Sequence, residues 1–69
     1  MSLAKVIEVI AEGSTMEGAV TNAVKEASKT VHNIRSVYCE NMQGIVENNK
    51  LVKFRVNAKI TFVLEDQKA

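Results

Sequence analysis

Few side chains in this sequence can do covalent chemistry, and none stands beside the partner that such chemistry requires. Cys39 and His32 are the single cysteine and histidine. A thiol becomes a nucleophile when a base or a positive field favours its thiolate. Cys39 instead stands in an alternating strand pattern, and reads as a small inert hydrophobe of the core. His32 falls in the last turn of a predicted helix, where a cation complements the dipole. No glycine-rich phosphate loop, nucleophile–base pair, set of converging carboxylates or metal-ligand cluster is present, so the chain reads as a non-enzyme. What remains is binding chemistry. Tyr38 offers a ring that stacks on a flat heterocycle or packs in an interface with its hydroxyl in water. Arg55 offers a guanidinium that stacks, pairs with a phosphate, or forms an ion pair with Glu8 or Glu40. Lys50, Lys53, Arg55 and Lys59 form a basic stripe able to touch phosphates. Glu8, Glu40 and Glu47 dilute it towards an ordinary solvated face.

The elements that position these groups must come from a short chain. Its 69 residues make one domain near the lower limit for independent folding. Residues 1–4 and 65–69 are expected to be flexible ends. With 46% hydrophobic and 25% charged residues the composition is that of a folded protein rather than a disordered one. A net charge of +1 argues against a nucleic-acid partner. No apolar run approaches the ~20 residues needed to span a membrane, and no secretory leader is expected. The lone cysteine fits a reducing, cytoplasmic setting and excludes an internal disulfide. A core of this size supplies only about 3–5 kcal/mol, which points to self-assembly.

Lys5 to Ala11 is rich in β-branched residues and ends at Gly13-Ser14, as a strand covered on both faces would. Its one face is Lys5, Ile7, Val9 and Ala11; the other is Val6, Glu8 and Ile10. Ser14-Thr15-Met16-Glu17 has the form of a capping box with Ser14 as the cap. Met16, Ala19, Val20, Ala23, Val24, Ala27 and Val31 then recur at helical spacing. They predict an amphipathic helix about 25 Å long, with Lys29 and His32 in its last turn and Asn33 as its stop. Small residues on the apolar stripe let the helix lie close to a sheet.

From Ile34 onward the period becomes two. Val52, Phe54, Val56, Ala58, Ile60, Phe62 and Leu64 alternate with mostly polar neighbours, predicting an unusually long strand. Asn48-Asn49 is the expected hairpin turn, because asparagine tolerates positive φ. That turn pairs Glu47 with Lys50, Met42 with Arg55, Glu40 with Asn57, Cys39 with Ala58, Tyr38 with Lys59, Val37 with Ile60 and Ser36 with Thr61. Gly44 marks a bulge or an early end of regular pairing. The fold class is therefore α+β: a β-α-β-β chain whose third strand inserts between the others through a right-handed crossover, the three-stranded antiparallel sheet wrapping one helix. Val6, Ile10, Tyr38, Met42 and Val63 are expected on the outer face among Glu8, Lys53, Arg55 and Lys59. An apolar face of this kind calls for neighbouring copies.

Lys5-Val6-Ile7-Glu8-Val9-Ile10, the Gly13-Ser14-Thr15 break, Ala27-Ser28-Lys29-Thr30 and the strand Val52 to Leu64 together resemble the dodecin family from about Lys5 to Leu64. The resemblance implies a homododecamer, hollow and of cubic symmetry, that stores or sequesters a flavin (riboflavin, FMN or FAD) or a related nucleotide without turnover. It also implies that flavins sit at subunit interfaces, stacked on a tryptophan and hydrogen-bonded by a glutamine. In this sequence Ser36 stands at the tryptophan position and Arg55 at that of the glutamine. The implied cofactor-binding residues are thus Ser36, Tyr38 and Arg55, with Arg35, Val37 and Asn41 as further candidates. Ser36 and Arg55 lie far apart in the hairpin register and can share a site only across subunits. The replacement of both family residues keeps open an alternative: a structural dodecin-like shell without flavin, binding ions or another phosphate-bearing ligand.

Overall fold

The elements run β1 (Leu3–Gly13), α1 (Met16–Ala27), β2 (Ile34–Glu47) and β3 (Lys50–Leu64). In this computed structural model residues 3–64 are described. β3 is the centre of a three-stranded sheet, flanked by β1 and β2, each antiparallel to it. The expected β-α-β-β order and strand arrangement are therefore present. β1 begins at Leu3, which pairs with Leu64, so Leu3 and Ala4 belong to the sheet rather than to a loose end. Residues 1–2 and 65–69 of the expected flexible ends lie outside the described residues.

Periodicity decides which face of β3 is interior. Val56, Ala58, Ile60 and Phe62 are buried, as are Ala19, Ala23 and Ala27 of α1, and Val56 and Ala58 form one core cluster with Ala19 and Ala23. Val9, Ala11, Val37 and Phe54 pack around this core. Alanines on the helix stripe remove the bulk that would otherwise separate helix from sheet. At Gly13 the approach is closer still: a Cβ there would lie 2.5 Å from the backbone nitrogen of Ala19.

The helix begins one residue later than the capping box implied. Thr15, in extended conformation, is the N-cap, and its Oγ1 accepts from the Gly18 N–H at 2.8 Å. Glu17 then sits in the first turn, where a carboxylate suits the positive end of the dipole. The helix also ends sooner. Its 12 residues span about 18 Å rather than 25. Tighter turns carry the chain onward, with Lys29 N–H donating to the Glu26 carbonyl and Thr30 N–H to that of Ala27. Lys25, not Lys29 or His32, is the basic residue of the last turn. Asn33 takes a left-handed φ of 61° and reverses the chain into β2, its carbonyl accepting from the Val63 N–H.

The hairpin turn is Asn48-Asn49, with φ of 51° and 64°, as a two-residue turn of mirror-image geometry demands. The pairs Glu47–Lys50, Cys39–Ala58, Tyr38–Lys59, Val37–Ile60 and Ser36–Thr61 form as expected. Between them the register slips by one. Arg55 faces Gln43 instead of Met42, and Asn57 faces Asn41 instead of Glu40. An irregularity at Ile45/Val46 opens this slip and one at Cys39/Asn41 closes it, beside the Gly44 that hinted at a bulge. Met42 consequently stands opposite Val56 on the helix side of the sheet, not on the outer face.

Two burial expectations fail for one geometric reason. Cys39 is exposed although its partner Ala58 is buried, because the short α1 lies over β1 and β3 and barely reaches β2. β1 is not covered on both faces, since Val6 and Ile10 are 57% and 65% exposed. A single helix covers part of one side of the sheet.

Candidate functional site

The uncovered outer face is where most of the candidate residues collect. Antiparallel register places side chains of directly paired residues together on one face. Across the three strands the rows are Val6–Thr61–Ser36, Glu8–Lys59–Tyr38, Ile10–Asn57–Asn41 and Glu12–Arg55–Gln43. Four of the six candidates, Ser36, Tyr38, Asn41 and Arg55, therefore share this face. Val37 does not: it is half-buried opposite Ile60, on the helix side. Arg35 is the extra residue of the irregularity between Ile34 and Ser36.

Tyr38 is 65% exposed, its ring free to meet a flat partner. Ser36 lies two residues away on the same strand and presents only a hydroxyl. Arg55 is remote from both. Its position along β3 is six residues from that of Thr61, the partner of Ser36, or about 20 Å at ~3.3 Å per residue. One chain thus offers Ser36 and Tyr38 at one end of the face and Arg55 at the other.

Electrostatics centre on Glu12, which the sequence reading placed beyond the end of β1. Its Oε1 receives Lys53 Nζ at 3.0 Å, and its Oε2 receives both Arg55 Nε and Arg55 Nη2 at 2.9 Å. Arg55 is therefore paired with Glu12 rather than with Glu8 or Glu40. Glu40 instead holds Lys59 at 3.3 Å. These pairs set two carboxylates against the four cations of the basic stripe and so neutralise half of its charge. Glu12 was discoverable, because the even-numbered residues of β1 face outward and an antiparallel partner of Arg55 must lie near the strand's end. Gln43 was hidden by the register slip, at which Gly44 hints without giving its bounds.

Hydrogen bonding from Lys53, and then from Arg55, holds the Glu12 carboxyl below its ordinary value of 4.5. A carboxyl lowered on folding contributes stability that is complete above its unfolded value and is lost as pH falls through the folded one. The cluster should thus secure the end of β1 near neutrality and release it below about pH 4.5, more readily at high salt because all three groups are partly exposed. Glu12→Gln is expected to lower the urea midpoint at pH 7, by an amount that shrinks as the pH falls below 4.5. An offset that does not change with pH would remove this role.

An open cleft of about 540 Å³ lies between α1 and the edge strand, lined by Ile10, Ala11, Glu12, Asn22, Lys25, Glu26 and Lys29. Asn22 Nδ2 donates to the Glu12 carbonyl at 2.7 Å, and Lys29 is paired with Glu26. No group of three or more potential metal ligands occurs among the described residues. No helix among them is long and apolar enough to cross a membrane.

A family model described as Dodecin matches residues 3–65. The tt0972 protein of Thermus thermophilus is 19% identical, with a TM-score of 0.88 over 97% of this chain and 100% of its own. The dodecin from Streptomyces davaonensis is 20% identical, with a TM-score of 0.87 over 94% of this chain and 97% of its own. The dodecin from Streptomyces coelicolor is 27% identical, with a TM-score of 0.85 over 96% of each chain. No curated protein matches the sequence.

Proposed function

Because the chain belongs to the dodecin family, we propose that it is a cytoplasmic, non-enzymatic flavin-binding and storage protein that forms a hollow homododecamer. One observation carries this reading: the outer sheet face holds Tyr38, Ile10 and Val6, all more than half exposed, beside polar residues that can orient a ligand. Apolar surface of this kind gains about 25 cal/mol per Å² when covered, which favours copies of the chain as its cover. A flavin held where two copies meet lies with its isoalloxazine ring on Tyr38, which supplies the π-face that Ser36 lacks. Arg55 then comes from a neighbouring subunit, since the distance within one subunit is too great. Asn41 and Ser36 offer hydrogen bonds to the ring edge; Val37, on the helix side, is a support for the strand rather than a contact.

The test is a titration with riboflavin and with FMN, following flavin fluorescence, with light scattering for the assembly. Quenching at low micromolar flavin by a particle far heavier than one chain is expected. Tyr38→Ala should weaken quenching about tenfold or more, given about 1–3 kcal/mol per stacked ring. Quenching unchanged by Tyr38→Ala would remove Tyr38 from the site. A monomer at micromolar concentration would end the assembly reading.

Ser36 and Arg55, which replace the family's tryptophan and glutamine, favour a second reading, a structural shell without flavin that binds ions or another phosphate-bearing ligand. Its signature is an assembled particle that leaves flavin fluorescence unquenched at tens of micromolar.

A further inference from the structure

The Glu12–Arg55–Gln43 row combines features that ordinary surface pairs lack. Arg55 lies on the central strand, flanked by a carboxylate on β1 and an amide on β2. The two oxygens of Glu12 divide their contacts. Oε1 takes an ammonium, and Oε2 takes the Nε and Nη2 donors from one edge of the guanidinium. This is also the donor set that a tetrahedral phosphate takes: two cations on one side, with a planar fork supplying parallel N–H groups. Gln43 is paired with Arg55 from the opposite strand, β2. Nothing in the cluster is buried beyond reach of solvent, since Lys53, Arg55 and Glu12 side chains are each about two-fifths exposed.

We propose that Glu12 is a specificity-determining residue, a built-in anion occupying a phosphate-sized subsite formed by Lys53, Arg55 and Gln43, so that a phosphate-bearing ligand binds there only by displacing it. The cluster carries one net positive charge with Glu12 ionised and two without it. While Glu12 remains, the face accepts neutral ring systems without penalty and discriminates against phosphorylated ones. This deepens the reading above, in which the same face takes the ligand, and it assigns the choice between riboflavin and FMN to one carboxylate.

The test uses inorganic pyrophosphate, riboflavin and FMN on the parent protein, Glu12→Gln, and Glu12→Gln combined with Arg55→Gln. Calorimetric titration with pyrophosphate is expected to show about fivefold or greater tightening in Glu12→Gln, the effect of removing one unit charge about 4 Å away in water. The gain should disappear in the double variant. Riboflavin quenching should differ less than about twofold between parent and Glu12→Gln, while FMN follows pyrophosphate; these are the marks of a phosphate subsite rather than of altered folding. Equal pyrophosphate affinity in parent and Glu12→Gln, or a gain that survives loss of Arg55, overturns the assignment. Glu12→Asp, which keeps the charge but is one methylene too short to hold both cations, should give an intermediate gain if the amide variant fails to fold. Absence of riboflavin quenching with the pyrophosphate effect intact would sink the flavin reading and leave the role of Glu12 standing.

Discussion

Ile60→Ala is expected to abolish the folded subunit at low protein concentration. Ile60 is fully buried on the central strand, between Ile7 of β1 and Val37 of β2, on the face that meets the helix. Truncating a buried isoleucine costs about 2–5 kcal/mol, because transfer energy is lost and a cavity remains. A core of this size has only about 3–5 kcal/mol to lose. Collapse around the gap is restricted, since the neighbours that would move are strand residues held by ladders on both sides. In the assembly proposed above, mass action stabilises the fold, so the measurement is urea denaturation at several protein concentrations. The expected result is a variant unfolded at low micromolar concentration and partly rescued at high concentration. A shift of less than about 1 kcal/mol would mean that Ile60 is not the central support of the core. Val52→Ala is the control: partly exposed near the hairpin tip, it should cost far less.

Gly13→Ala should rank second. A Cβ at Gly13 meets the Ala19 nitrogen at 2.5 Å, the Gly18 carbonyl carbon at 2.7 Å and the Ala19 Cα at 2.9 Å. All three are backbone atoms, so no rotamer change relieves the clash. The end of β1 must separate from the first turn of α1, which loosens the contact of Ala19 and Ala23 with the sheet. Overpacking typically costs about 1–3 kcal/mol, and a backbone obstruction belongs at or above the top of that range. Gly44→Ala provides the internal comparison. There a Cβ meets the Leu51 Cδ1 at 2.6 Å, a methyl on an exposed side chain that can swing aside. Denaturation midpoints of the two variants measured together should show the Gly13 substitution clearly more damaging. Equal effects would mean that strand and helix can part at no cost.

Much of the candidate site was legible beforehand, and the exceptions share a cause. Tyr38 and Ser36 could be assigned to the outer face because their register near the far end of the hairpin follows from the alternation in β3. Met42 and Cys39 could not be placed correctly. Met42 depends on a slip opened at Ile45/Val46, and Cys39 on how far a helix reaches across a sheet. Glu12 was left out because β1 was ended at the last apolar residue, whereas pairing with β3 carries it two residues further.

By itself the amino-acid order determined the type and succession of the elements, the two-asparagine turn and the interior face of β3. Each of these follows from interactions within a few residues: side-chain period, tolerance of positive φ, and the capping chemistry that starts a helix. Only the tertiary structure decided where α1 stops, which strands it covers, which hairpin residues are skipped in pairing, and that Arg55 meets Glu12. Those outcomes depend on contacts between elements, the Glu12–Arg55 pair joining residues 43 positions apart, and local pattern does not describe them.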